Sequence, residues 1–207
     1  MMQRGGGRRE GAPPLRPWDL ARSCSPWTPL QPSRSTLPSP RGSPPVSTAD
    51  RSYADELEGR LSGRGRRFAL IAARFNAHVT GELLHRAHST LLGHDVAATD
   101  IEVFRCPGAW ELPQVALRVA KGGGFDAVIA LGCVIRGETA HFDFIAGEAA
   151  RGLAEAAYRT GVPIVFGVLT TEDEAQARER ADAGGGDKGR EAALAALEMA
   201  ELFLRLG

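Results

Sequence analysis

A three-layer α/β/α sandwich around a four-stranded parallel sheet is the fold the sequence predicts. Two observations predict it. Runs of strand length alternate with segments of helical period from Phe68 to the end of the chain, and three of the four runs, Phe68 to Ala73, Ala127 to Leu131 and Ile164 to Leu169, carry no polar side chain. Continuous apolar runs mark strands covered on both faces, and the alternation with helices marks parallel pairing through crossovers. A third observation sets the boundary. Residues 1–52 are rich in Arg, Pro, Ser and Gly, so a disordered leader is expected there and a folded domain in 53–207.

Taken in order, Phe68 to Ala73 reads as the first buried strand. Thr80 is the expected cap of a helix whose Leu83, Ala87 and Leu91 recur along one face, and Gly93 ends it. Ile101 to Phe104 is the second strand, and a helix opening at Pro113 follows, with Val115 and Val119 on its apolar side. Gly122 to Gly124 breaks that helix, and Ala127 to Leu131 is the clearest buried strand. A helix from about Phe142 to Tyr158 comes next, closed by Gly161-Val162-Pro163. Ile164 to Leu169 is the fourth strand, after which Thr171 and Glu174 form an expected capping box. Gly184 to Gly186 separates that helix from a terminal one with Ala193, Leu197, Ala200 and Leu204 on one side.

Composition removes several functions. The 25 Lys and Arg balance 25 Asp and Glu, so neither nucleic acid nor an anionic membrane surface is an expected partner. No apolar run reaches the ~18 residues that span a bilayer. Cys24, Cys106 and Cys133 lack zinc or redox spacing, which points to a reducing compartment, and the expected location is the cytoplasm. The basic leader admits a transit peptide, a disordered tail or translated upstream sequence. Pro13-Pro14, Pro38, Pro40 and Pro44-Pro45 would interrupt a targeting helix, which favours the last two.

In a parallel sheet, ligands collect beyond the carboxyl ends of the strands, where this chain places Phe75-Asn76, Pro107 to Glu111, Gly132 to His141 and Leu169 to Glu172. His141 is the leading acid-base candidate, since a histidine both takes and gives a proton near neutrality, although a lone loop histidine is more often a surface residue. Gly137, Glu138 and Thr139 before it would offer free backbone amides at a helix start, an anion site, or else a simply capped helix. The segment has neither the spacing nor the lysine of a P-loop, and no dinucleotide fingerprint opens the first strand-helix turn. Arg180 and Lys188, flanking the glycine run, could neutralise a phosphate or be ordinary solvated charges. Phe75 could stack on a planar heterocycle or belong to the core; Trp110 and Glu111 share that ambiguity. His85 and His88 share a helix face but have no cysteine or carboxylate cluster to complete a metal site, so no metal is expected.

In this order and spacing, Arg74-Phe75-Asn76, Pro107 through Pro113, Gly132 through His141, Pro163 through Thr171, and Asp187-Lys188-Gly189 with Glu198-Met199-Ala200 resemble the 6,7-dimethyl-8-ribityllumazine synthase family. The resemblance covers the chain from about Phe68 onward and implies a flavodoxin-like fold. It implies condensation of 5-amino-6-(D-ribitylamino)uracil with 3,4-dihydroxy-2-butanone 4-phosphate, with release of phosphate and water and without cofactor. Carried over position by position, Phe75 stacks on the pyrimidine, Ala109, Trp110 and Glu111 line its pocket, and Cys133, Val134 and Ile135 contact it through their backbone. Glu138 and Thr139 receive the butanone phosphate, Arg180 joins them from a neighbouring subunit, and Lys188 adds positive charge. Phe166 closes the ring pocket and His141 transfers protons.

The resemblance further implies a homo-oligomer, a pentamer or a 60-subunit shell of pentamers, with sites between subunits and riboflavin synthase as a candidate partner. The segment Tyr53 to Leu61 would add an edge strand to a neighbour. Two features depart from the family: the leader, and Asp187 where Asn is usual, which sets a negative charge beside Lys188 and predicts weaker phosphate affinity. Three other readings compete. A riboflavin synthase on the same fold would need no phosphate pocket, an inactive shell protein would not need His141, Arg180 and Lys188, and a generic phosphate-binding module would not need the pyrimidine pocket.

Overall fold

The structure, a computed structural model, describes residues 58–207. The leader expected in 1–52, and residues 53–57, lie outside the described residues. Four parallel strands pair in the order β2-β1-β3-β4: β1 (Phe68–Ala73), β2 (Ile101–Cys106), β3 (Ala127–Ile135) and β4 (Ile164–Thr171). Between and after them run α1 (Ala77–Gly93), α2 (Leu112–Gly122), α3 (His141–Thr160), α4 (Glu174–Ala181) and α5 (Lys188–Leu206). Helices α1, α4 and α5 cover one face of the sheet and α2 and α3 the other, which gives the three expected layers.

The central strands explain the continuous apolar runs. Every residue of β1 and all of β3 except its last are buried, because each strand has a helical layer on both sides. Alternate residues divide between the layers: Leu70, Ile129 and Leu131 face α1 and α5, whereas Ile71, Val128 and Ala130 face α2 and α3. The edge strand β2 buries only Ile101 and Cys106.

Several boundaries move, each for a local reason. β3 and β4 run past Leu131 and Leu169 because their pairing continues through Cys133↔Leu169, Val134↔Thr170 and Ile135↔Thr171. β2 likewise extends to Cys106, opposite Ala73. Thr80 does not cap α1. The helix starts at Ala77 from a left-handed Asn76 (φ 56°), and the buried Thr80 hydroxyl donates to the Ala73 carbonyl at 2.7 Å, tying the first turn back to β1.

Nor does Thr171 open α4. It stays in β4, and Asp173 is the cap, its Oδ1 accepting from the Gln176 amide at 2.8 Å while Gln176 Oε1 accepts from the Glu172 amide at 3.2 Å. In α2 the deepest line is Leu112, Ala116 and Ala120, with Val115 and Val119 partly buried beside it. In α5, Ala193, Leu197 and Ala200 are buried, but Leu204 is exposed with the rest of the final turn. The described part of the expected edge segment, residues 58–61, forms no strand in the single chain.

Candidate active site

The parallel sheet delivers the carboxyl ends of β1, β2 and β3 to one edge, and short-range bonds fuse the loops there. The Arg74 and Phe75 amides donate to the Cys106 and Pro107 carbonyls at 2.8 and 3.0 Å, binding the loop after β1 to the loop after β2. Asn76 Nδ2 donates to the Cys133 carbonyl at 3.1 Å and extends the tie to β3. Held this way, Phe75 leaves 69% of its surface exposed, which removes the core reading of that aromatic. The turn Ala109–Glu111 then brings Trp110 and Glu111 alongside, with Ala109 buried beneath them.

These loops and the start of α3 enclose a cavity of about 420 Å³, a volume suited to a small-molecule ligand. Of the residues singled out in the sequence, Phe75, Ala109, Trp110, Glu111, Cys133, Val134, Ile135, Thr139 and His141 line it. Because β3 continues to Ile135, the last three reach the cavity as strand residues, and Asn76 already occupies the Cys133 carbonyl. Glu138 lies in the same loop, exposed, but is not part of the lining.

Between β3 and α3 the amides of residues 137–140 have no hydrogen-bond partner among the described residues, and the His141 amide makes a long contact of 3.4 Å with Thr139 Oγ1. Donors without partners at a helix start are receptive to an anion. Arg136 anchors this loop. Its backbone amide donates to the Thr171 carbonyl at 2.9 Å, and its guanidinium contacts Glu172 at 2.8 Å and Asp143 at 3.2 Å while lying 4.0 Å over the Phe142 ring. The Glu172 carboxylate, with Asp143 assisting, holds the Arg136 pKa above its usual value.

The two described thiols sit where burial disfavours the thiolate. Burial pushes Cys133 up to about 11, and burial followed by the nearby Glu111 charge raises Cys106, so both stay protonated at neutral pH. Among the described residues, no three of His, Cys, Asp and Glu gather as a metal-holding group.

Phe166, Arg180 and Lys188 are not brought to this cavity. They line a separate recess of about 370 Å³ along β4, α4 and α5. Phe166 pairs with Ala130, three to five residues before the cavity-lining Cys133 to Ile135; at about 3.3 Å per residue that is about 10–17 Å along the strand. In the recess, Lys188 Nζ pairs with Glu191 at 2.6 Å. Asp187 does not act as a free negative charge beside Lys188. The Arg86 guanidinium grips it in a fork, Nε to Oδ1 at 2.9 Å and Nη2 to Oδ2 at 2.6 Å, so a positive partner compensates its charge.

The sequence reading missed Phe142 and Ile145, which join the lining from the first turns of α3, and Phe144, which faces an adjoining recess with Trp110 and His141. His141 and Ile145 stand four apart on that helix, so helical spacing counted from His141 would have found the second. Arg136 and Arg86 carried no signal, because their partners are fixed only by the fold.

Fold and site together define an α/β protein with a small-molecule cavity at the carboxyl ends of β1 to β3, bordered by His141 and by loop amides that have no partner among the described residues. The sequence pattern of the 6,7-dimethyl-8-ribityllumazine synthase family matches residues 65–203, and the chain belongs to that family. It is a transferase family of riboflavin biosynthesis, responsible for the step that forms 6,7-dimethyl-8-ribityllumazine. No helix among the described residues is long and apolar enough to cross a membrane.

Proposed function

We propose that the protein condenses 5-amino-6-(D-ribitylamino)uracil with 3,4-dihydroxy-2-butanone 4-phosphate, in a site shared by two copies of the chain. The observation that carries this reading is the cavity itself. It sets the exposed Phe75 ring, the Glu111 carboxylate, unpartnered amides and His141 around one space, and each matches a part of the two substrates.

Phe75 stacks on the pyrimidine, Ala109, Trp110 and Glu111 hold that substrate, and the backbone of Cys133 to Ile135 forms its floor. The phosphate sits at the amides near Glu138 and Thr139. Arg180 and Lys188 of an adjacent copy complete its charge, and Phe166 of that copy closes the ring pocket. The pyrimidine amine attacks the ketone and water leaves to give an imine. Phosphate departs by elimination, and the ribitylamino nitrogen closes the second ring with loss of water. Each step moves a proton, and His141 is placed to shuttle them. Holding two dilute reactants together supplies much of the acceleration.

The separation of the two recesses in one chain supports a homo-oligomer, which we take to be a cyclic pentamer, alone or as part of a 60-subunit shell. The working location is the cytoplasm, with riboflavin synthase, the enzyme that consumes lumazine, as a candidate partner. The test is to mix the purified full chain with both substrates and follow lumazine absorbance together with phosphate release. Turnover is expected to fall about 10²–10⁴-fold in His141→Ala. Lumazine formation no faster than the uncatalysed background defeats the proposal.

A further inference from the structure

The Arg86–Asp187 fork joins positions 101 residues apart and takes no part in the condensation described above. Its surroundings tie it to Lys188. Asp187 occupies the left-handed region at φ 42°, its amide donating to the Asp182 carbonyl and its own carbonyl accepting from the Glu191 amide, both at 3.1 Å. Immediately after Lys188, Gly189 packs so closely on α1 that a Cβ there would stand 2.4 Å from the Leu83 carbonyl oxygen and 2.8 Å from the Arg86 Cβ. Lys188 is therefore bracketed by two residues pinned to α1, one through the fork and one through backbone contact.

The charges show a second consequence. The recess holding Lys188 is lined by Arg180, Lys188 and Glu191, a net single positive charge. Asp187, next in the chain to Lys188, would cancel that charge, and Arg86 restores it.

We propose that Arg86 sets the charge at the phosphate-binding edge without touching the phosphorylated substrate: its fork neutralises Asp187 beside Lys188 and keeps that edge positive. This rests on the condensation proposed above, and it adds that phosphate affinity is governed from α1 by a residue that does not touch phosphate. Arg86 and Asp187 oppose each other in charge, so their substitutions must shift phosphate binding in opposite directions. A fork that merely braces the fold would make both substitutions harmful and would disturb both substrates.

The experiment compares wild type, Arg86→Gln, Asp187→Asn and the double variant, all as the full chain. It measures KM for each substrate during turnover and, separately, Kd for inorganic phosphate by calorimetry. Arg86→Gln should raise the KM for the butanone phosphate about 3- to 10-fold, the scale of one partly screened charge, and leave the KM for the pyrimidine unchanged. Asp187→Asn should lower the same KM, since Asn tolerates the left-handed backbone, and the double variant should return it to near the wild-type value. The Kd for inorganic phosphate should follow the same order. Equal values across the four proteins, an Asp187→Asn effect in the same direction as Arg86→Gln, or parallel shifts in both substrates would overturn the proposal. If Arg86→Gln fails to fold, the sign of the Asp187→Asn shift decides alone. A wild-type chain that makes no lumazine would defeat the condensation, whereas the phosphate titration would still test the edge.

Discussion

Replacing Phe75 by Ala separates a substrate-stacking ring from a structural one. Full burial of a phenylalanine is worth about 1.5–3 kcal/mol. Phe75 leaves 69% of its surface in solvent, so only about a third of that stabilisation is at stake. The expected loss is about 0.5–1 kcal/mol, which lowers the Tm of a domain of this size by about 1–4 °C. Stacking on a heterocycle is worth about 1–3 kcal/mol per ring in nucleic-acid systems, which converts to a KM for the pyrimidine higher by about 5- to 150-fold. The KM for the butanone phosphate should move little, because the unpartnered amides of residues 137–140 belong to a different loop. Phe75→Leu, which keeps an apolar surface without the ring, should fall between. Thermal unfolding and two-substrate kinetics on the same preparations read both quantities. A Tm lowered by 8 °C or more with an unchanged pyrimidine KM would refute the stacking argument and return Phe75 to a packing role.

Other sites give sharper structural readouts. Gly189→Ala drives a methyl against the Leu83 carbonyl at 2.4 Å, a backbone atom that cannot rotate away, and should cost about 1–3 kcal/mol, visible as a lower urea midpoint. Cys133, with its pKa pushed up to about 11 by burial, should alkylate slowly at pH 8, and its rate should climb about tenfold per pH unit until the thiol titrates; fast labelling at pH 8 measured by mass spectrometry would contradict the burial. The hydrogen bond from Arg86 lowers the Asp187 pKa, so its stabilisation is complete above the unfolded value near 3.9 and fades as pH falls through the folded one. The stability difference between wild type and Arg86→Gln, followed by urea unfolding, should therefore be constant from pH 7 to about 5 and shrink below about 4.

What could be read from sequence follows from what is local. β1 and β3 were legible because burial on both faces makes the whole run apolar, and Gly122 to Gly124 marked the break before β3. Helix starts were less so. Thr80 and Thr171 have the chemistry of caps, yet each spends its hydroxyl on a nearby carbonyl, and the caps fall to Asn76 and Asp173. The candidate residues were identifiable through motif resemblance, but their division between two recesses depends on the Phe166↔Ala130 register, which no local pattern encodes. The Arg86–Asp187 fork was out of reach for the same reason, and without it Asp187 read as a liability beside Lys188.

A site shared between neighbouring copies can be rebuilt from two crippled chains by complementation. His141→Ala disables the cavity half of each site, and Arg180→Ala disables the recess half. Co-expressed in equal amounts with different tags and purified through both, the two chains form mixed oligomers. A site between neighbours is intact when an Arg180→Ala copy supplies the cavity and a His141→Ala copy the recess, which random mixing gives in about a quarter of sites. Lumazine formation is expected near a quarter of the wild-type rate per site. Activity no greater than the mean of the two single variants would mean that each chain builds its site alone, and would contradict the shared site.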